Sequence, residues 1–422
     1  MHSPSEFRNR WNRRAGIALL LAAALHAPAQ TPAPVVPDRP LRLADCLTIS
    51  QQRQPSLVVA RARLAAAQTK VAALDSLGGL SIVLRKELPV RRQQARLGVD
   101  ISQADLNRLE VENRYVVTRA YLSVLYARAQ QSVLDDLIEE LTYLRNRIKR
   151  SVERSERPEW TAATVDLVTL YLRRAEARRA EAERGVQMSL AALREAMNID
   201  PLLCLNIADE PIPQPAVRVC REEILAAALA RRGESIEANV VADVAGLEID
   251  AQAKSCRRGS VRTFAAGADL HASHVPQPIY GEEFRPGGIP LAMPTVLAGP
   301  RAARVESARE LGDQAAAVAQ KTRNLIALET DEAYFSWEEW SRKAEIYREA
   351  EEVGRRLTRR LREEVRGTLK RVIEGILPES LLAAQTRTDY NEALFRRAIA
   401  LAALERVTGG AFCAGLANTP AP

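Results

Sequence analysis

The side chains best placed to do chemistry in this 422-residue chain are a pair of histidines, five cysteines and many carboxylates. His271 and His274 stand as His-Ala-Ser-His. On a strand, a spacing of three turns the two rings to opposite faces, which suits a polar rim better than a shared metal ion. Cys46, Cys204, Cys220, Cys256 and Cys413 contain no Cys-x-x-Cys pair, so no zinc site is expected. Cys204 and Cys220 flank one linker, where a disulfide and two free helix-packing thiols are both open readings. Glu139-Glu140 and Glu351-Glu352 sit among arginines on helical faces, and solvated i,i+4 pairing accounts for them. There is neither a phosphate-cradling glycine loop nor a nucleophile elbow. The sequence points to no catalytic residue, no cofactor and no metal, and an enzyme is not expected.

Composition favours length over a compact core. Charged residues make up 27% of the chain and aromatics only 5%, as suits long Ala-, Arg-, Glu- and Leu-rich helices. The formal net charge is +7. Residues 1–29 carry Arg8, Arg10, Arg13 and Arg14 against Glu6, and the remaining excess is a solvated mixed-charge surface, not a nucleic-acid footprint.

Those first residues read as a secretory signal peptide. A basic start precedes an apolar run, Ala15 to Leu25, and Ala27-Pro28-Ala29 offers small residues before a cut at Gln30. The run is too short to span a bilayer comfortably. A proline-rich leader follows over 30–40. The chain beyond it is expected outside the cytoplasm.

From Leu134 the apolar positions are Leu134, Leu137, Leu141, Leu144, Ile148 and Val152, a coiled-coil seam. No proline interrupts 101–157, enough for a helix of roughly 80 Å. A break at Pro158 and a return arm to Asn198 make a long helical hairpin. Helices are also expected from about Leu41 to Pro55, Leu57 to Ser76, Arg221 to Arg231 and Ser235 to Ser255. A second hairpin runs from Arg301 to about Leu369 and returns from Pro378 to Gly409-Gly410.

This second hairpin repeats the first. Ala120-Tyr121-Leu122-Ser123 recurs as Ala333-Tyr334-Phe335-Ser336. Leu190-Ala191-Ala192-Leu193 recurs as Leu401-Ala402-Ala403-Leu404, and Arg53 to Leu57 matches Arg232 to Ile236 more weakly. The order of these matches argues for an internal duplication. Repeat one occupies 41–206, a Pro-rich linker 207–217, repeat two 218–410 and a tail 411–422.

Two short segments break the helical character. Leu80, Ile82 and Leu84 alternate with Ser81, Val83 and Arg85, as one short strand would. In repeat two, Phe264, Ala266, Ala268 and Leu270 fall on one strand face, with a turn at Pro286 to Gly288 and a return over Ile289 to Val296. A membrane β-strand and a small surface hairpin both fit. The offset between repeats is larger after this region, from Ala120 to Ala333, than before it, from Arg53 to Arg232. Repeat one therefore lacks a stretch that repeat two has.

The chain resembles the TolC-like outer-membrane efflux proteins. The match is carried by Ala384-Gln385, Asp389 to Leu394, Leu404 and Thr408-Gly409 near the end. Arg304-Val305 with Ala308 opens the second long helix, and Leu43 to Leu57 has its break near Pro55. The resemblance covers almost all of the chain beyond the leader. It implies a mainly α fold of two tandem long-helix repeats, joined as a homotrimer into an α-helical barrel with a small shared β-barrel. It implies a passive outer-membrane conduit for tripartite efflux or type I secretion. Its partners would be a periplasmic adaptor, an inner-membrane transporter and outer-membrane lipid. The helix tips that would meet the adaptor hold Arg157, Pro158, Trp160, Gly375 and Pro378. They lack the Gly and Thr that follow an Arg in the family, which points to altered or lost adaptor docking or to simple helix breakers. The shortened first strand region supports the alternative, a periplasmic coiled-coil scaffold of the same fold without an open barrel.

Overall fold

Prolines and glycines set where the helices start and stop. In this computed structural model residues 39–77, 85–154, 160–257, 259–264, 294–364 and 377–417 are described. Helix α1 (Leu43–Arg53) opens where the Asp45 carboxylate accepts the Arg42 N–H at 3.0 Å. Pro55 begins α2 (Pro55–Asp75), a position where its missing N–H costs nothing. Helix α3 (Leu88–Glu153) starts well before the 101 expected, because Pro89 lies in its first turn and does not end a strand. Helix α4 (Ala162–Ala196) returns alongside it.

The same series follows as α5 (Arg221–Arg231), α6 (Gly233–Lys254), α7 (Arg301–Glu364) and α8 (Leu377–Val407). Helices α1 and α5 have 11 residues each, α3 and α7 have 66 and 64. At ~1.5 Å per residue each long helix runs about 100 Å. Between α6 and α7 stand two short antiparallel strands, β1 (Val261–Arg262) and β2 (Val296–Leu297), with Val261 opposite Leu297. The strand expected over Leu80 to Leu84 lies outside the described residues, as do residues 1–38 with the signal peptide and leader.

The long helices act as spines for two stacked layers. In one half, α2 packs on α3, α3 on α6 and α6 on α7; in the other, α4 packs on α3, α3 on α8 and α8 on α7. The seam closes as expected: Leu137, Leu141, Leu144 and Ile148 are buried with Val168, Leu172 and Ala175 of the return arm. Small residues let α6 and α7 approach closely, through Ala238, Val241, Ala245, Ala315, Val318 and Ala319. The two repeats are tied by a Tyr126–Phe395 stack at 4.6 Å and by Arg387 to Asp136 at 2.6 Å.

The linker between repeats is packed, not loose. Leu41 N–H donates to Asn206 O at 2.8 Å and Ala208 N–H to Leu41 O at 2.9 Å, a parallel bridge. Ile207 and Ile212 are buried, and the Tyr121 hydroxyl donates to Glu210 at 2.6 Å. Burial and that carboxylate push the Tyr121 phenol up. At the far end Gly409 and Gly410, with φ of +61° and +80°, end α8 in the left-handed region as Gly409-Gly410 promised.

Gly233 marks a close approach between the repeats. A Cβ there would lie 2.7 Å from Ala104 O and 2.8 Å from Arg108 Cβ. Gly233→Ala is expected to cost roughly 1–3 kcal/mol as overpacking. A fall in the urea midpoint at unchanged slope checks this; an unchanged midpoint would contradict the close packing.

Candidate conduit wall and strand junction

Each end of the molecule has its own construction. At the strand end the first turns of α3 and α7 converge with α6 beneath β1 and β2. Glu248 of α6 is wholly buried. It accepts from both terminal nitrogens of Arg91, from Gln94 Nε2 at 3.0 Å, from Gln252 Nε2 at 2.7 Å and from the Phe264 N–H at 3.3 Å. Arg304, also 0% exposed, donates to Gln252 Oε1 at 2.9 Å. Its other nitrogens reach the carbonyls of Gly299 at 2.8 Å, Arg257 at 3.2 Å and Gly259 at 3.3 Å. A planar guanidinium with five donors is the side chain that can collect several carbonyls at once. The network therefore fixes both ends of the hairpin base to both long helices.

Arg304 was legible in the sequence; Arg91, Gln94, Glu248 and Gln252 were not. A signal existed. Arg91 and Arg304 are as far apart along the chain as the matched Tyr121 and Tyr334, so they hold the same place in the two repeats. The two arginines do different work: Arg304 binds its own repeat's hairpin base, whereas Arg91 crosses to Glu248 and to Arg262 O at 2.9 Å.

Of the strand face, only Phe264 lies within the described residues; Ala266, Ala268 and Leu270 lie outside, with His271 and His274. Phe264 leans onto repeat one. Its ring stands where a Cβ at Gly98 would come within 3.2 Å, and Lys70 Nζ lies 3.9 Å from the ring centre. Burial, with Arg91 beside it, holds Lys70 below the usual lysine value.

At the opposite end the two helix tips share one core. Trp160 is 6% exposed and packs in the cluster that contains Leu144, Ile148 and Leu377, so its ring supports the tip from within. Pro378 follows in the first turn of α8. Arg157, Pro158 and Gly375 lie outside the described residues.

The edges of the wall are its unsatisfied part. In the tip half the order α4–α3–α8–α7 leaves α4 and α7 as the two edges; α5 packs on α7 only near its middle, where Arg221 pairs with Asp331 and stands 5.8 Å from the Phe335 ring. Met188 and Leu170 of α4 are exposed, and so are Phe335, Ile346 and Val353 of α7. These residues match in height. Gly185 lies against Ala127, so Met188 sits level with about Val124 of α3 and Leu170 with about Thr142. Phe335 and Val353 are the repeat-equivalents of Leu122 and Glu140. Long helices α3 and α7 start in one network and end in one tip cluster, so the apolar pairs Met188/Phe335 and Leu170/Val353 stand at common levels on opposite edges.

Nothing among the described residues gathers into an active centre. No group of three His, Cys, Asp or Glu that could hold a metal occurs there. Cys204 and Cys220 are both free. Burial pushes the Cys46 thiol up to about 12, far from a nucleophile's range. A polar cavity of about 280 Å³ between the repeats is lined by Arg108, Arg232, Arg406, Glu112 and Glu234; Arg406 pairs with Glu112, Arg232 with Glu234 and Arg108 with Asp105. No helix among the described residues is long and apolar enough to cross a membrane.

Solved structures share this architecture. The outer-membrane channel OprN superposes with a TM-score of 0.66 at 14% identity, covering 91% of this chain and 96% of that one. The outer membrane protein VceC of Vibrio cholerae gives 0.65 at 13% identity, with 87% and 96% covered. The open state of the Neisseria gonorrhoeae MtrE outer membrane channel gives 0.57 at 16% identity, with 87% and 89% covered. No protein-family model matches the sequence, and no curated protein matches it either. The chain has the TolC-like fold of these outer-membrane channels, as its sequence resemblance implied.

Proposed function

We propose that this chain, built on the fold of outer-membrane channels, is itself the outer-membrane conduit of a tripartite efflux or type I secretion system. The observation that carries the reading is the pair of level-matched apolar edges on α4 and α7. Such unlike edges fit one copy to the next head-to-tail, and a rotation that closes makes a ring. A ring of three long-helix walls is a tube open along its axis. It carries cargo passively, and the energy comes from an inner-membrane partner.

The β1–β2 connection, with Ala266, Ala268 and Leu270, anchors the tube in outer-membrane lipid. The tips bearing Arg157, Pro158, Gly375 and Pro378 meet a periplasmic adaptor, with Trp160 holding them from beneath. The clustering of Trp160 with Leu377 supports this, since it brings both tips to one end.

A second reading is a periplasmic scaffold of the same fold without an open barrel. The connection between α2 and α3 favours it: this spans only 76–87, whereas the one between α6 and α7 spans 255–300. Deleting Phe264–Val296 separates the readings. The conduit reading expects the deleted protein to leave the outer-membrane fraction. Full retention there would count against it.

A further inference from the structure

We propose that the polar cavity between the repeats binds a small organic anion carrying two or more carboxylate or phosphate groups. The proposal goes beyond the conduit reading and does not depend on it, since one chain supplies the whole site. Four parts of the fold enclose about 280 Å³: the end of α1, the first half of α3, the corner between α5 and α6, and the end of α8. That volume is just below the roughly 300–1,000 Å³ of drug-sized sites, so the ligand is small. Close backbone contacts set the walls. A Cβ at Gly409 would lie 2.7 Å from Arg231 O, and one at Gly233 would lie 2.7 Å from Ala104 O. A site held in shape by packed backbone loses little freedom when it binds.

The balance of charge selects an anion. Each carboxylate that lines the cavity already has an arginine: Glu110 has Arg61 at 3.4 Å, Glu112 has Arg406 at 3.4 Å and Glu234 has Arg232 at 3.0 Å. Glu329 lies behind them, 1% exposed, and pairs with Arg232 and Arg406 as well. Arg108 has Asp105. Two lining arginines are left over, one from each repeat. Arg114 and Arg231 are exposed and form no ion pair among the described residues. Glu405 attracts Arg114 from beyond ion-pair range, and that carboxylate accepts the Ala414 N–H at 2.6 Å. Asn107 adds a neutral donor: its Oδ1 accepts from Gln103 at 2.8 Å, which leaves the amide N–H groups to donate. A free guanidinium holds a carboxylate or phosphate through two parallel hydrogen bonds. Two of them lining one cavity from different repeats call for a ligand with two such groups, which would bridge the repeats.

The test is calorimetric titration of the full-length protein, purified in detergent, with citrate and separately with inorganic pyrophosphate, at an ionic strength matched with sodium chloride. Saturable binding of at least one probe, at one molecule per chain, is expected, and the probe that binds tells carboxylate from phosphate. Arg114→Gln and Arg231→Gln are each expected to weaken that binding roughly tenfold or more, the worth of a hydrogen bond to a charged group. Both side chains are exposed, so both variants should unfold at the native temperature in the absence of ligand. Arg218→Gln, an exposed arginine outside the cavity, should bind as the native protein does. Failure of both probes to saturate the native protein overturns the proposal. So does binding that is unchanged in both cavity variants, or that falls equally in Arg218→Gln. Recovery of the protein as a soluble monomer would remove the conduit reading and leave this site to be judged by the same titration.

Discussion

Glu248→Ala is expected to destabilise the protein by about 3 kcal/mol, the low end of the cost of breaking a buried ion pair, because the carboxylate is wholly buried while Arg91 is part-buried. Glu248 is 0% exposed and holds Arg91, Gln94, Gln252 and the Phe264 N–H together. Its removal strands Arg91 and frees the base of the hairpin. Arg91→Ala should cost a similar amount. The double variant should cost clearly less than the two together, because the second removal takes away the charge that the first left unpaired. A coupling of roughly 0.5–3 kcal/mol, as contacting residues show, is the expected result of denaturation on all four proteins. Strict additivity would mean that the two side chains do not act as one unit. Loss of stability should also appear as easier proteolysis between Ser255 and Pro300, since the network binds the carbonyls of Arg257, Gly259 and Gly299.

Glu237→Gln is expected to flatten the alkaline side of the stability curve. Burial is the main force that pushes the Glu237 carboxyl up to about 8; Asp105 and Glu234 add to it and Arg108 opposes it. Its Oε1 has no hydrogen-bond partner among the described residues, and Arg108 Nε stands 3.8 Å away. The folded state thus favours the protonated acid. A raised pKa gives stability that is complete below the unfolded value, near 4.5, and is lost as pH rises towards 8. Each pH unit in that window costs about 1.4 kcal/mol per proton, so the loss is on the order of 4 kcal/mol by pH 8. The glutamine variant carries no such titration. At pH 8.5 it should be the more stable protein, and near pH 5 the two should be close. Parallel pH profiles for both proteins would show that Glu237 is ionised throughout in the fold.

Much of this molecule was readable because long helices declare themselves. The seam from Leu137 to Ile148 repeats every three or four residues, and the buried cluster follows it. Arg221–Arg231 stands with the bounds expected, because charged residues and Gly233 punctuate it. The second hairpin was visible through its likeness to the first. What stayed hidden depends on chain crossings. Pro89 reads as a stop after an apolar run, yet a proline is equally at home in a helix's first turn, and only the packing of Leu88 and Val90 decides. Glu248 looks like any helical glutamate among alanines. Its role appears only when α3 brings Arg91 and Gln94 across from the other repeat. The linker after Pro201 has the composition of a loose connection, and it is the groove along Tyr121 and Arg128 that orders it.

The tip residues show the limit in another way. Trp160 is an aromatic beside a proline break, the type of residue that marks a contact surface. The neighbouring Leu144, Ile148 and Leu377 turn it into core. Met188 and Val353 present the reverse case: each is apolar on a long helix, and each is left exposed at an edge of the α4–α3–α8–α7 order.

That uncovered pair of edges makes oligomeric state the point on which the account turns. The most direct measurement is the native mass of the protein extracted in detergent from purified outer membranes. The account predicts a trimer in that fraction, with conductance in a planar bilayer as the next quantity to record. Recovery as a monomer or dimer in the soluble periplasmic fraction would contradict it and leave the scaffold reading in its place.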